Sequence, residues 1–503
     1  MTPAEMKLLK VDPMTLTPQL DSFFKHYVKA MREGNAAVFI GAGLSRSCGY
    51  VDWKGLLKEV AEDLGLNIDQ ETDLIALAQF HQTKHMSRAK LDQLIIDEFT
   101  KDTTLSDNHT LLARLPLNTV WTTNYDALLE KAFQDAHRRV DVKKTTESLQ
   151  HPMPGRSVTV YKMHGDVESP QTAVLTKEDY ETYDLTRELF SIKLKGDIVG
   201  KTFLYLGFSF TDPNIDYILS RIRALLGKDK GQHYAIMRWP PKPTKASFSS
   251  ASAFQKAKAQ HEYYRKRLDL RIDDLKRYGI EAIMINEYSE ITEILAELNR
   301  RVHLKDIFIS GSADVYDPLG ESQIEQVCRL LGKRLISEGM NVVSGLGIGI
   351  GDKVVIGALE ALYKKHYYDA SDRLFLRPFP QQPPTGMSIK TFWTRYRTEM
   401  VSRAGASIFI CGNKKESSTG VVKNAQGVIE EFQISAEQGA FPIPLGATGH
   451  AAQHIWSEVN RSLSTYFPNG GVKGHFATLG KATSSPEQLV DAVVGILKQI
   501  KAL

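Results

Sequence analysis

Ala36-Ala37-Val38-Phe39-Ile40-Gly41-Ala42-Gly43-Leu44-Ser45 decides the fold. Five apolar residues read as a short strand buried on both faces, and the Gly-Ala-Gly behind it is a turn whose backbone can approach another group closely. The pattern recurs downstream. Strand-like runs at 118–123 and 157–163 lead into Asn124-Tyr125-Asp126 and His164-Gly165. Further runs span 202–208, 233–237 and 280–285, with helical stretches between them. Upstream, residues 5–33 carry helical spacing: Leu20, Phe23, Phe24, Tyr27, Val28 and Met31 share one face, and Gly34-Asn35 ends the helix. Strands alternating with helices predict a mostly parallel sheet covered on both faces, with ligands at the carboxyl ends of its strands.

A second unit of the same kind follows. Strand-like 306–309 ends in Ser310-Gly311-Ser312, and 341–343 ends in the glycine-rich run 344–351. Runs at 407–410 and 441–445 end in Cys411-Gly412-Asn413-Lys414 and Gly446-Ala447-Thr448-Gly449. The fold class expected is therefore α/β, two tandem Rossmann-like domains with mostly parallel sheets. The boundaries expected are 1–285 for the first domain, 286–304 for a linker that includes helix-like 291–302, and 305–503 for the second. The Pro- and Ser-rich stretch 240–252 reads as an excursion within the first domain.

Composition narrows the function. A chain of 503 residues, 42% hydrophobic and 24% charged, is globular and large enough for two or three domains. A net charge of +4, with no long Lys/Arg block, does not mark a nucleic-acid binder. Three scattered cysteines, Cys48, Cys328 and Cys411, exclude a disulfide scaffold and a four-cysteine zinc site. His81 and His85 have metal-pair spacing but no third ligand, so no metal is expected. No apolar run approaches the ~18–20 residues that span a bilayer, and 1–20 lacks an apolar leader core. No membrane association and a cytoplasmic setting are expected.

Gly41-Ala42-Gly43-x-Ser45, Thr122-x-Asn124-x-Asp126 and His164-Gly165, in this order and each at a strand end, resemble the sirtuin superfamily over roughly residues 15–285. Gly207-Phe208-Ser209 is similar to that family's Gly-x-Ser segment near the adenosine ribose. The resemblance implies NAD+ as substrate, contacted by Gly41, Ala42, Gly43, Ser45, Asp126, Gly207 and Ser209, with Asn124 and His164 catalytic. The chemistry suits these residue types. Cleaving the nicotinamide–ribose bond passes through an oxocarbenium-like sugar, so the protein must hold the ribose and admit a nucleophile. An amide such as Asn124 holds a hydroxyl or a water without titrating. An imidazole such as His164 takes a proton near neutral pH. Asp126 orients Asn124 or helps stabilise the cation; the plainer reading is that it opens the helix that follows. Deacylating sirtuins carry a zinc ribbon of two Cys-x-x-Cys pairs and a Pro-Asp-Phe-Arg segment after the glycine turn. Both are missing here, where the turn continues Gly49-Tyr50-Val51-Asp52-Trp53. This favours water as the nucleophile. A zinc-less protein deacylase and a non-enzymatic nucleotide-binding scaffold remain the rival readings.

Ile309-Ser310-Gly311-Ser312, the glycine run 345–351 and Gly427-Val428-Ile429-Glu430-Glu431-Phe432 resemble the SLOG superfamily. Its enzymes place Pro-Gly-Gly-x-Gly-Thr before a Glu pair. Here Asn424-Ala425-Gln426-Gly427 stands there, so ligand sensing is favoured over phosphoribohydrolase chemistry. The candidate signal-binding residues are Ser310, Gly311, Gly347 and Gly349 through the backbone, Arg397 and Lys414 on phosphates, and Glu430 on a ribose. The tandem order resembles the effector family of Thoeris antiphage systems. That resemblance implies a cyclic ADP-ribose isomer as signal, a TIR-domain partner enzyme that makes it, and a homo-oligomer, a tetramer or larger. The helix at 18–33 is a candidate interface.

Overall fold

The computed structural model describes residues 17–502 apart from 211, 227–230, 249, 365–369, 417 and 469. Contacts divide the chain into two units, the first ending at Asn299 and the second beginning at Arg300. The part of the 5–33 stretch before residue 17 lies outside the described residues.

The first unit holds a seven-stranded, wholly parallel sheet. Its strands are β1 (Ala36–Ile40), β2 (Thr119–Thr122), β3 (Val140–Lys143), β4 (Val158–Lys162), β5 (Thr202–Leu206), β6 (His233–Arg238) and β7 (Ile280–Ile285). They lie in the order β3-β4-β2-β1-β5-β6-β7. The chain starts in the middle: Val38 of β1 pairs with Val120 on one side and Leu204 on the other. Strand order reverses beside β1, which leaves a crevice at the carboxyl ends of β1, β2, β4 and β5. Every residue of β1 is buried, as a strand covered on both faces requires.

Helix Pro18–Arg32 packs on this sheet, its first turn capped by Thr17 Oγ1, which accepts from Leu20 N at 3.2 Å. Phe23, Phe24 and Tyr27 are fully buried, each such aromatic contributing about 1.5–3 kcal/mol. Tyr27 donates to Ala37 O at 2.8 Å, and Phe23 meets the Tyr234 ring edge-on at 4.8 Å. The apolar face of this helix is thus spent on the chain's own core.

The expected linker 286–304 is mostly helix, Ser289–His303. Thr292 donates to Asn108 at 2.8 Å and Asn299 to Leu111 O at 2.9 Å, both within the first unit. Its last residue, His303, accepts from Gly405 N in the second unit at 2.9 Å.

The second unit holds a five-stranded parallel sheet: β8 (Asp306–Ser312), β9 (Asn341–Ser344), β10 (Leu374–Leu376), β11 (Ala406–Cys411) and β14 (Phe441–Pro444), in the order β10-β9-β8-β11-β14. A hairpin of β12 (Asn413–Lys415) and β13 (Val422–Asn424) follows β11. Order again reverses beside the first strand of the unit, β8. The α/β class with two parallel sheets stands as expected. Among the described residues no helix is long and apolar enough to cross a membrane.

Candidate functional site

At the carboxyl end of β1 the glycine turn packs onto the turn after β5. Gly43 N donates to Gly207 O at 3.0 Å, and a Cβ on Gly41 would stand 2.5 Å from that same oxygen. Gly207 has φ +62°. The close approach that these glycines permit is therefore backbone against backbone, which draws Gly41, Ala42, Gly43 and Gly207 together. Ser209 is exposed on the same β5 turn.

From β2 comes Asn124, 7% exposed. Its Nδ2 donates to Ser45 Oγ at 3.0 Å and Gly41 O at 3.3 Å, while its Oδ1 is buried without a partner among the described residues. Ser45 Oγ donates to Asp126 Oδ2 at 2.8 Å, and Asp126 Oδ1 accepts from Leu128 N at 3.0 Å. Asp126 thus joins the start of helix Leu128–Asp135 to Ser45, which in turn holds Asn124. The amide oxygen is left with capacity for a ribose hydroxyl or a water.

From β4 come Lys162 and His164. Lys162 is fully buried, a feature that sequence reasoning missed. Its Nζ donates to the carbonyls of Tyr125 at 3.1 Å and Asp126 at 2.6 Å. It also pairs with Glu130 at 3.1 Å and Asp166 at 2.5 Å. Burial opposes the charge, but the Glu130 and Asp166 carboxylates outweigh it and hold the ammonium above the usual lysine value. The ammonium ties the β2 turn that carries Asn124 to the strand that carries His164.

His164 is fully buried; its Nε2 lies 3.1 Å from Asp212 Oδ2. Asp212, also missed, precedes helix Pro213–Leu226, and its Oδ1 accepts from Asn214 N at 2.9 Å and Ile215 N at 3.2 Å. Burial alone would push the Asp212 carboxyl up; His164 and these backbone donors outweigh it and hold it below the usual carboxylate range. A helix-capping Asp in a Ser-x-x-Asp-Pro segment was the available signal, though nothing local tied it to His164.

In the second unit a cavity of about 750 Å³ opens at the ends of β8, β9 and β11. Ser310, Gly311, Gly347, Arg397 and Lys414 line it. Gly347 must lack a side chain, because its Cβ would fall 1.8 Å from Gly311 O. Two expected residues do not line the cavity. Gly349, φ +73°, packs on Ala313 O and the Tyr316 hydroxyl. Glu430 accepts from Thr394 Oγ1 and from Arg397 at 2.8 Å. Glu431 reaches the cavity in its place, accepting from Ser310 Oγ at 2.6 Å and from Arg397 Nε at 3.3 Å. Burial pushes the Glu431 carboxyl up, against the pull of Ser310 and Arg397. The Arg397 guanidinium sits 5.0 Å from the Phe379 ring centre, which also walls the cavity. On helix Ile389–Val401, Arg395 is half-exposed and pairs with Glu399 at 3.1 Å, whereas the Arg397 side chain is only 12% exposed.

Elsewhere, His81 lies 3.5 Å from Asp63 and its ring 4.4 Å from that of His85. Among the described residues no group of three or more His, Cys, Asp or Glu side chains is arranged to hold a metal. Cys411 is fully buried, which pushes its thiol up to about 12.

Comparison with known proteins agrees with both halves. The profile of a SIR2-like domain matches residues 118–264, and that of the Sir2- and TIR-associating SLOG family matches 290–500. The chain is 42% identical to an NAD(+) hydrolase ThsA of Bacillus cereus, over 96% of this chain and 98% of that one. It is 38% identical to an NAD(+) hydrolase ThsA of Cytobacillus dafuensis, over 99% and 100%. The corresponding protein of Enterococcus faecium is 40% identical over 95% and 98%. With relatives matched from end to end, and the SIR2-like and SLOG halves in the order that its motifs imply, the chain belongs to the ThsA family of NAD(+) hydrolases.

Proposed function

We propose that this chain is an NAD+ glycohydrolase that releases nicotinamide and ADP-ribose, and that a cyclic ADP-ribose isomer in the second-unit cavity switches it on. The observation that carries the reading is the paired idle capacity at the first site: Asn124 Oδ1 and His164 Nδ1 are both buried without a hydrogen-bond partner among the described residues. A buried polar atom left unpaired costs about 1–3 kcal/mol, so a fold that keeps two at adjacent strand ends is built around a ligand that meets them.

In the proposed reaction a water bonds to C1′ of the nicotinamide ribose. The C1′–N bond breaks, and its electron pair leaves with nicotinamide. His164 takes the proton from the water, Asn124 Oδ1 holds the water or a ribose hydroxyl, and the Gly41–Ser45 and Gly207–Ser209 turns carry the rest of NAD+. General-base assistance of this kind is worth about 10²–10⁴-fold.

An NADase that never rests would exhaust its own cell, so the active arrangement is a minor state that the signal stabilises. Moving the balance from 1:99 to 99:1 takes about 5.5 kcal/mol of differential affinity. Arg397 and Lys414 line the cavity and suit the phosphates of such a signal. The proposed setting is a cytoplasmic homo-oligomer, a tetramer or larger. Its signal comes from a TIR-domain enzyme during phage infection, and loss of NAD+ stops the infected cell.

Incubation with NAD+ and an acetyl-lysine peptide tests the reaction class. Nicotinamide and ADP-ribose in equal amounts, with the peptide untouched, is the expected result. O-acetyl-ADP-ribose would establish the deacylase instead, and NAD+ binding without cleavage under any effector would establish the scaffold.

A further inference from the structure

The two ring nitrogens of His164 have different surroundings. Neither makes an aligned hydrogen bond among the described residues, but Nε2 lies 3.1 Å from Asp212 Oδ2, whereas Nδ1 has no such carboxylate contact among them. Asp212 is itself fixed: its other oxygen takes two backbone N–H groups, and Tyr180 donates to Oδ2 at 3.4 Å. The rings of Tyr180 and Tyr183 flank the imidazole edge-on at 5.6 and 6.4 Å. Tyr183 is committed to Met163 O at 3.0 Å, and nearby Arg187 to the carbonyls of Lys144 and Thr172. Burial pushes the Tyr180 hydroxyl well up, so it stays neutral. Among these contacts Asp212 is the one anion that meets the ring.

We propose that Asp212 is the positioning residue of the hydrolytic site: it accepts the Nε2–H of His164 and thereby makes Nδ1 the atom that takes the proton. The proposal rests on His164 being the base. As the water oxygen bonds to C1′ and nicotinamide departs, the water proton moves to Nδ1, and the imidazolium so formed is neutralised by the carboxylate at Nε2. An imidazole held by a carboxylate through one nitrogen presents the other as a lone pair; without that carboxylate it adopts the wrong tautomer.

Asp212 also caps a helix, and the variants separate the two roles. Asp212→Asn keeps an oxygen for the cap but offers Nε2 an N–H donor, which drives the ring proton to Nδ1. Its kcat is expected to fall about 10²–10⁴-fold, with KM within about threefold of wild type. Asp212→Glu is expected to recover part of the loss. Nitrogen-15 spectra of histidine-labelled full chain, assigned with His164→Gln, are expected to show Nδ1 bare and Nε2 protonated in wild type and the reverse in Asp212→Asn. A wild-type kcat or an unchanged tautomer in Asp212→Asn overturns the proposal. His164→Gln distinguishes the failures. If that variant is dead while Asp212→Asn is normal, only the positioning role falls; if it turns over normally, the base assignment falls with it.

Discussion

The cluster around Asn124 and His164 and the cavity of the second unit are both built at the carboxyl ends of parallel strands beside a strand-order reversal, yet they spend their polar groups in opposite ways. At the first site the framework residues are saturated. Lys162 takes two carbonyls and two carboxylates, and Asp126 takes Ser45 and Leu128 N. The atoms proposed to react, Asn124 Oδ1 and His164 Nδ1, have no hydrogen-bond partner among the described residues. In the cavity the recognition groups are themselves engaged: Arg397 is shared between Glu430 and Glu431. The first arrangement is preorganised for one transition state. In the second an incoming anion has to compete with two carboxylates for the arginine, which suits the proposed sensor, one that must not respond to every phosphate.

The contrast breaks most severely if Asn124 and His164 are dispensable. Asn124→Ala and His164→Ala are each expected to cut nicotinamide release by about 10²–10⁴-fold while the circular dichroism spectrum stays that of wild type. Substitution in the cavity should act on the response alone. Arg397→Ala removes a buried, hydrogen-bonded charge and is expected to weaken signal binding by about 2–5 kcal/mol, leaving signal-independent hydrolysis unchanged. Lys414→Ala should do the same more weakly. Titration calorimetry with the cyclic isomers checks both.

The frame behind the first site is tested through stability. Lys162→Met leaves Glu130 and Asp166 buried without their partner, and a loss of about 3–5 kcal/mol in denaturant unfolding is expected. Gly41→Ala forces a Cβ onto Gly207 O and is expected to cost about 1–3 kcal/mol.

Acid sharpens the contrast with the smallest effect. Asp212 is held below its ordinary value, so its contribution is present above the unfolded carboxylate range and lost as pH falls through the folded value. Glu431 is raised, so its contribution is complete below the unfolded value and lost as pH rises through the folded one. Hydrogen exchange followed by peptide should show protection rising around β8, through Glu431, as pH falls from 7 towards the ordinary carboxylate range, and falling around β5, through Asp212, only below that range.

Much of this was legible in the residues. The runs at β1 and β7 coincide with the expected strands, since an apolar run between turn residues has few other uses. β3 was not seen because its pattern is inverted: Asp141 and Lys143 are buried and pair with each other at 2.8 Å, while Val140 and Val142 are only half-buried. Asn124 and His164 could be named from their motifs, but Lys162 and Asp212 owe their roles to partners brought together only by the sheet. The misassigned glutamate has a simpler cause. Neighbours on a helix point about 100° apart, and no local pattern shows whether Glu430 or Glu431 turns towards the cavity.

The central claim is that occupancy of the second unit governs hydrolysis in the first. Its most direct test is to follow nicotinamide and ADP-ribose by chromatography as the purified chain meets NAD+, with and without cyclic ADP-ribose isomers. Release that appears with one isomer, and is lost again in Arg397→Ala, is the predicted result. Equal release without any isomer would contradict the switch while keeping the enzyme, and no release under any condition would contradict both the switch and the hydrolase.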